Sequence, residues 1–141
     1  MSGLVGKLGA KSGIIGFNKP KRHQYTTLLN SWETWDQQNQ TSSDTGLMVQ
    51  NMGPIWIVSC AIRNTGISTV NGNSVIVNIA NEFTLPGATV ICGVGHFGQS
   101  SEDEYHGNIQ ITDSGNIYLY YRNAGSTGHY VYNQFMGLDQ S

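Results

Sequence analysis

Residues 54–64, Pro-Ile-Trp-Ile-Val-Ser-Cys-Ala-Ile-Arg-Asn, form the longest run dominated by apolar side chains. On a pleated strand Trp56, Val58, Cys60 and Ile62 share one face, and Ile55, Ile57, Ser59, Ala61 and Arg63 share the other. Gly53-Pro54 and Asn64-Thr65-Gly66 bound the run with turn chemistry, and its Ile, Val and Trp content suits a sheet better than a helix. The pattern predicts a central strand, covered on both faces near its start, with one face turning polar towards Arg63. Such a strand requires partner strands on either side and a second layer above it.

The rest of the chain supplies those partners as short strands separated by turns. Strands are predicted over 47–51, 67–70, 74–80, 88–94, 107–112, 116–122 and 129–135. Asn71-Gly72-Asn73 is a hairpin signal, because Asn-Gly accepts positive φ at both central positions. In 74–80, Val75, Val77 and Ile79 alternate with Ser74, Ile76, Asn78 and Ala80. About eight strands at short spacing predict an all-β fold, an antiparallel β-sandwich of jelly-roll type, with Trp56, Val58, Ile62, Val77 and Ile109 in its core. Residues 23–40 read two ways. Tyr25, Leu28, Leu29 and Trp32 have helical spacing, but Thr26-Thr27 and Ser31 to Thr34 are poor helix interior, so a short helix and a first strand both stay open. Trp32 and Trp35 are read as packing residues.

Composition agrees with strands and turns. Only 11% of the 141 residues are charged, and 18 are glycine, which suits neither a helical bundle nor a charged disordered chain. No apolar run approaches the length of a membrane-spanning helix. Glycines interrupt Leu4-Val5-Gly6-Lys7-Leu8-Gly9, which therefore lacks the continuous apolar core of a secretory signal, and synthesis in a cytoplasm is expected. Cys60 and Cys92 fall in predicted strands, as free buried thiols do in a reducing compartment.

Charge is segregated along the chain. Lys7, Lys11, Lys19, Lys21 and Arg22 precede the first acidic residue, Glu33, so residues 1–22 carry +5. The remainder has two cations against nine carboxylates, a net of −7. Three regions follow: a basic, glycine-rich N-terminal arm over 1–22, a connecting segment over 23–45, and the sandwich body over 46–141. Gly3, Gly6, Gly9, Gly13 and Gly16 make the arm too glycine-rich for a stable isolated helix, so it is expected to be extended. Leu4, Lys7, Leu8, Lys11, Ile14, Lys19, Lys21 and Arg22 are its candidate partner-binding residues, because a basic segment on an acidic body suits an acidic surface.

No catalytic constellation emerges, and neither an enzyme nor a cofactor is expected. Gly9-Ala10-Lys11-Ser12 resembles a phosphate loop only superficially, since it lacks the glycine before the lysine and the one five residues earlier. The loop 95–106 gathers His96, His106, Glu102, Asp103 and Glu104, but three consecutive carboxylates cannot point one way, and a solvated acidic loop is expected there. His23 and His129 stand alone. The sequon Asn39-Gln40-Thr41 has no meaning without a secretory route. Tyr118, Tyr120, Tyr121, Tyr130 and Tyr132 crowd two late strands; Tyr118, Tyr120, Tyr130 and Tyr132 are candidates for a ligand or trimer surface, with packing in the sheet as the alternative.

The segments Phe83-Thr84-Leu85-Pro86, Val90 to Val94, Gly107 to Ile111 and Gly115 to Tyr120, with the aromatic strand that follows, resemble the C-terminal head domains of bacteriophage fibre and capsid-surface proteins. Those heads are similar to trimeric jelly rolls of the complement C1q type. Residues 9–16 are similar to N-terminal segments of short virion proteins of aquatic phages. The resemblance implies a homotrimeric protein at the virion surface, held by its arm to the major capsid or another virion protein. Two roles are compatible with it. A capsid decoration (cement) protein needs an anchor and no shaft, and no shaft of repeats is present; the receptor-binding head of a tail fibre or spike would instead recognise a host glycan. Binding to nucleic acid or to a membrane is not expected.

Overall fold

The computed structural model describes residues 20–35, 46–66, 72–97, 105–122 and 129–141, with the side chains of 94–97, 105–106, 121–122 and 129 left aside. Nine strands and no helix occupy these residues: β1 (Lys21–Tyr25), β2 (Glu33–Thr34), β3 (Leu47–Met52), β4 (Ile55–Asn64), β5 (Gly72–Asn78), β6 (Val90–Phe97), β7 (Tyr105–Ile111), β8 (Asn116–Arg122) and β9 (His129–Leu138). They make two antiparallel sheets packed into a sandwich.

The apolar run is the central strand of the first sheet. β9 pairs with β4 along its full length, from Ile55↔Leu138 to Asn64↔His129. The other side of β4 is shared. β3 runs from Met52↔Ile55 to Leu47↔Cys60, and β2 takes over with Thr34↔Ile62 and Glu33↔Arg63. Ala61 joins the two: its N–H donates to the Gly46 carbonyl (2.9 Å) and its carbonyl accepts from the Trp35 N–H (2.8 Å). β1 then pairs with β3, from Lys21↔Asn51 to Tyr25↔Leu47. Lys21 and Arg22, the last two residues of the expected arm, therefore belong to the sheet, which begins before residue 46. Strand pairing overrides the charge boundary because β1 is anchored at its end by the cross-strand pair Tyr25 and Leu47, both buried.

In the second sheet the order is β5-β8-β7-β6. β6, β7 and β8 form a meander and β5 returns beside β8, a Greek-key arrangement. The pairings β4–β9, β5–β8 and β6–β7 nest inside one another, as in the winding of a jelly roll, although the last two pairs share a sheet. The inner faces meet in one core: Leu47, Val49, Trp56, Val58, Ile62, Val131 and Phe135 from the first sheet, and Ile76, Ile109, Ile111, Ile117 and Leu119 from the second. Each such side chain contributes about 1.5–3 kcal/mol by leaving water. All five residues predicted for the core are in it.

Two local expectations change. The alternation of Val75, Val77 and Ile79 breaks at a bulge between Val75 and Val77, so Ile76 and Val77 are both buried while Val75 is half-exposed. The helical stripe Tyr25-Leu28-Leu29-Trp32 forms no helix. Asn30 and Ser31 take φ of 52° and 63°, which ends any helical turn. The segment is instead tied to the edge of β5: Leu29 N–H donates to the Ile76 carbonyl (2.8 Å), Asn30 Nδ2 to the Val75 carbonyl (2.9 Å), and Trp32 Nε1 to Ser74 Oγ (2.8 Å). The bulged edge of the second sheet is thereby covered. The buried Asn64 closes the same corner, donating to the Asn30 carbonyl and accepting from the Gly66 N–H. The expected strand over 67–70 and the turn residue Asn71 lie outside the described residues, whereas Gly72 and Asn73, expected in the same turn, belong to β5 and pair with Tyr121 and Tyr120, so the strand starts earlier than the turn signal placed it.

At the opposite side β6 lies under β9. A Cβ on Gly137 would stand 2.7 Å from the Ile91 carbonyl oxygen and 2.8 Å from Cys92 Sγ, so only glycine lets the two backbones approach this closely.

Candidate interaction face

β4 divides its side chains cleanly. Its inward residues are buried, whereas Ile55, Ile57, Ser59, Ala61 and Arg63 point away from the second sheet and are half-buried. The register aligns outward neighbours across three strands: Met52, Ile55 and Leu138 in one row, and Gln50, Ile57 and Met136 in the next. Met136 is 64% exposed, Leu138 55% and Met52 37%. The cover predicted on both faces near the start of β4 is thus present on one face only among the described residues, because the second sheet reaches only the inner side.

The far end of this face has different chemistry. Arg63 Nε donates to Glu33 Oε1 (2.8 Å), and the guanidinium carbon lies 3.8 Å from the centroid of the Trp35 ring. The edge of Trp35 meets Tyr130, with centroids 5.8 Å apart. Tyr132, beside Ala61, is 58% exposed. One outer face therefore carries an apolar end rich in methionine and isoleucine and an aromatic end organised by one arginine, the side-chain types enriched at protein interfaces.

The tyrosines do not form one cluster. β8 and β9 lie in different sheets, so Tyr118 and Tyr120 face outward from the second sheet while Tyr130 and Tyr132 face outward from the first. Adjacency in sequence misleads here because the chain changes sheets between the two strands. Around Tyr118 and Tyr120 the register places Val75 and Asn73 on one side and Gln110 and Asn108 on the other. Gln110 Nε2 donates to Asn108 Oδ1 (2.9 Å). This second face is a ladder of amides and phenol rings.

Of the arm residues, Lys21 and Arg22 are exposed on β1, where Lys21 Nζ lies 5.6 Å from the centroid of the buried Phe83 ring. Leu4, Lys7, Leu8, Lys11, Ile14 and Lys19 lie outside the described residues, as does most of the acidic loop 95–106. His23 is exposed on β1 with its ring 4.7 Å from Tyr25. Trp32 and Trp35 are buried, in keeping with the packing role. Among the described residues no group of three or more His, Cys, Asp or Glu is placed to hold a metal, and no helix is long and apolar enough to cross a membrane.

Cys60 and Cys92 are free and buried. Burial pushes the Cys92 thiol up to about 12, and burial, with a smaller contribution from Cys92, pushes Cys60 well above the ordinary thiol range. Neither is an activated nucleophile. Burial and the hydrogen bond to Glu82 Oε2 (2.9 Å) likewise raise the Tyr25 hydroxyl.

Sequence reasoning missed Met136 and Leu138, because the predicted last strand stops at 135. The signal was present in the sequence: Gln134, Met136 and Leu138 continue the alternation of Tyr130 and Tyr132. Comparison with family models finds no match, and no characterised protein matches the chain in sequence.

Proposed function

We propose that the chain is a structural protein of a phage particle, a decoration (cement) protein that works as a homotrimer and attaches to the shell through its basic N-terminal segment. The observation that carries this reading is the outer face of the first sheet, where Met52, Ile55, Ile57, Met136 and Leu138 form a connected apolar surface of the kind that neighbouring subunits cover. A net charge of +5 on residues 1–22, against −7 on the remainder, supports attachment by the segment while the body projects.

The test has two parts. Sedimentation of the purified full chain should give three times 15.4 kDa. Shells saturated with the protein should lose it when residues 1–19 are removed; a truncation that stops there leaves β1 intact. Replacing Lys7, Lys11 and Lys19 by alanine should weaken attachment most at low salt, because screening already weakens the ion pairs of the natural chain at high salt. A monomer that binds shells equally well without residues 1–19 would sink the reading.

A second reading, the glycan-binding head of a fibre or spike, is favoured by one feature, the face of Tyr118, Tyr120, Asn108 and Gln110, since phenol rings and amides suit sugar stacking and hydrogen bonding. Binding of an oligosaccharide that is lost in Tyr118→Ala would support it over the first.

A further inference from the structure

Three facts about the first sheet bear on what covers its outer face. The apolar rows Met52-Ile55-Leu138 and Ile57-Met136 lie at the end of the sheet where β1 begins, because Lys21 pairs with Asn51 and Met52 follows. The chain preceding β1 therefore enters the sheet beside this patch. Its last residues are Gly13-Ile14-Ile15-Gly16-Phe17-Asn18-Lys19-Pro20, in which three large apolar side chains fall within four positions. Glycines on either side let such a segment lie close against another backbone. Finally, Pro20 pushes the residue before it towards extended backbone. β1 is an edge strand and Lys21 lies beside the β3–β4 turn, so among the described residues no further strand borders this corner of the sheet.

From these facts we infer that residues 13–17 of one copy lie across the outer face of the first sheet of the next copy, with Ile14, Ile15 and Phe17 against Met52, Ile57, Met136 and Leu138. The segment is long enough to cross one sheet. Seven extended residues span roughly 23 Å, whereas the step from β1 to β9 crosses three strand spacings, about 14 Å. A segment donated from each copy to the next is a head-to-tail contact, and three such contacts that close make a ring. The inference rests on the homotrimer proposed above and assigns its contact. It also divides the N-terminal segment: residues 13–17 hold copies together, and Leu4, Lys7, Leu8 and Lys11 reach further to the shell.

The experiment uses the full chain with its methionine methyl groups isotopically labelled. Four proteins are compared by sedimentation and by methyl NMR: the natural sequence, a form lacking residues 1–19, Ile15→Asp/Phe17→Asp, and Leu4→Asp/Leu8→Asp. The truncated form and Ile15→Asp/Phe17→Asp should fall to one third of the natural mass, with the Met52 and Met136 methyl signals shifted. Leu4→Asp/Leu8→Asp should keep the natural mass and signals. A synthetic peptide of residues 12–20, added to the truncated form, should move the Met52 and Met136 signals back. Circular dichroism of unchanged strand content establishes that each variant is folded. If the natural chain is a trimer and the truncated form remains one, the segment is not the occupant and the inference fails while the trimer stands. If the natural chain is a monomer, both fail.

Discussion

The two outer faces of this sandwich are built from strands of equal regularity and yet present opposite chemistry. The second sheet turns Asn73, Asn108, Gln110, Tyr118 and Tyr120 outward, groups that hydrogen-bond to water or to one another. The first sheet turns out Ile55, Ile57, Met136 and Leu138 at one end and an arginine stacked on tryptophan at the other. A sheet needs only one apolar face to fold, so the second apolar face of β4 and β9 is not explained by the core. It teaches that exposure by itself does not identify an interaction surface, since both faces are exposed; the distinction lies in which side chains the register gathers.

The largest effect should come from crossing the sandwich at a single strand. Gly137 and Leu138 are neighbours on β9, one facing in and one facing out. Gly137→Val should destabilise by about 3 kcal/mol or more, because the new side chain meets the Ile91 carbonyl with no room to move. Leu138→Ser should change monomer stability by only about 0.5 kcal/mol. Urea denaturation of both variants at low protein concentration tests the contrast, and similar losses would mean that the outer face is covered within the monomer.

Next in size is association. Met136→Asp should weaken self-association at least tenfold, the loss of roughly 1.4 kcal/mol expected from a central apolar contact. Tyr118→Asp, on the other face, should leave it unchanged. Sedimentation equilibrium gives both constants, and a larger effect from Tyr118 would move the contact to the second sheet.

Arg63→Ala removes the contact with Trp35 and the ion pair with Glu33 together. The pair is partly exposed, so the combined loss should stay near 1 kcal/mol. Arg63→Lys should recover little of it, since an ammonium cannot stack as a guanidinium does.

The interior sets a pH limit that neither face shares. Cys60, Cys92 and Tyr25 hold their protons in the folded state above the values that they have when unfolded. Their contribution to stability should therefore be level below pH ~8.5, the ordinary thiol value, and fall as pH rises above it, because the unfolded chain then loses protons that the folded chain keeps. Urea midpoints between pH 7 and 10.5 should show this decline, and Cys60→Ala/Cys92→Ala should flatten its first part. Both thiols should also resist alkylation at pH 8 until the protein unfolds.

Much of this architecture is legible from one residue to the next. The alternation of 55–64 places Trp56, Val58 and Ile62 inward because a pleated chain has no other way to separate them, and the turn at Asp113-Ser114-Gly115 separates two strands that pair as neighbours. Local spacing could equally suggest a helix at Tyr25 to Trp32, and there the outcome was set by distant partners: the carbonyls of Val75 and Ile76 draw the segment onto the edge of β5. The division of the tyrosines between two faces, the transfer of Lys21 and Arg22 from arm to sheet, and the joining of Met52 to Leu138 are likewise decided by tertiary structure. Each depends on which strand lies beside which, and that pairing joins residues up to 83 positions apart, beyond the reach of any periodicity in the chain.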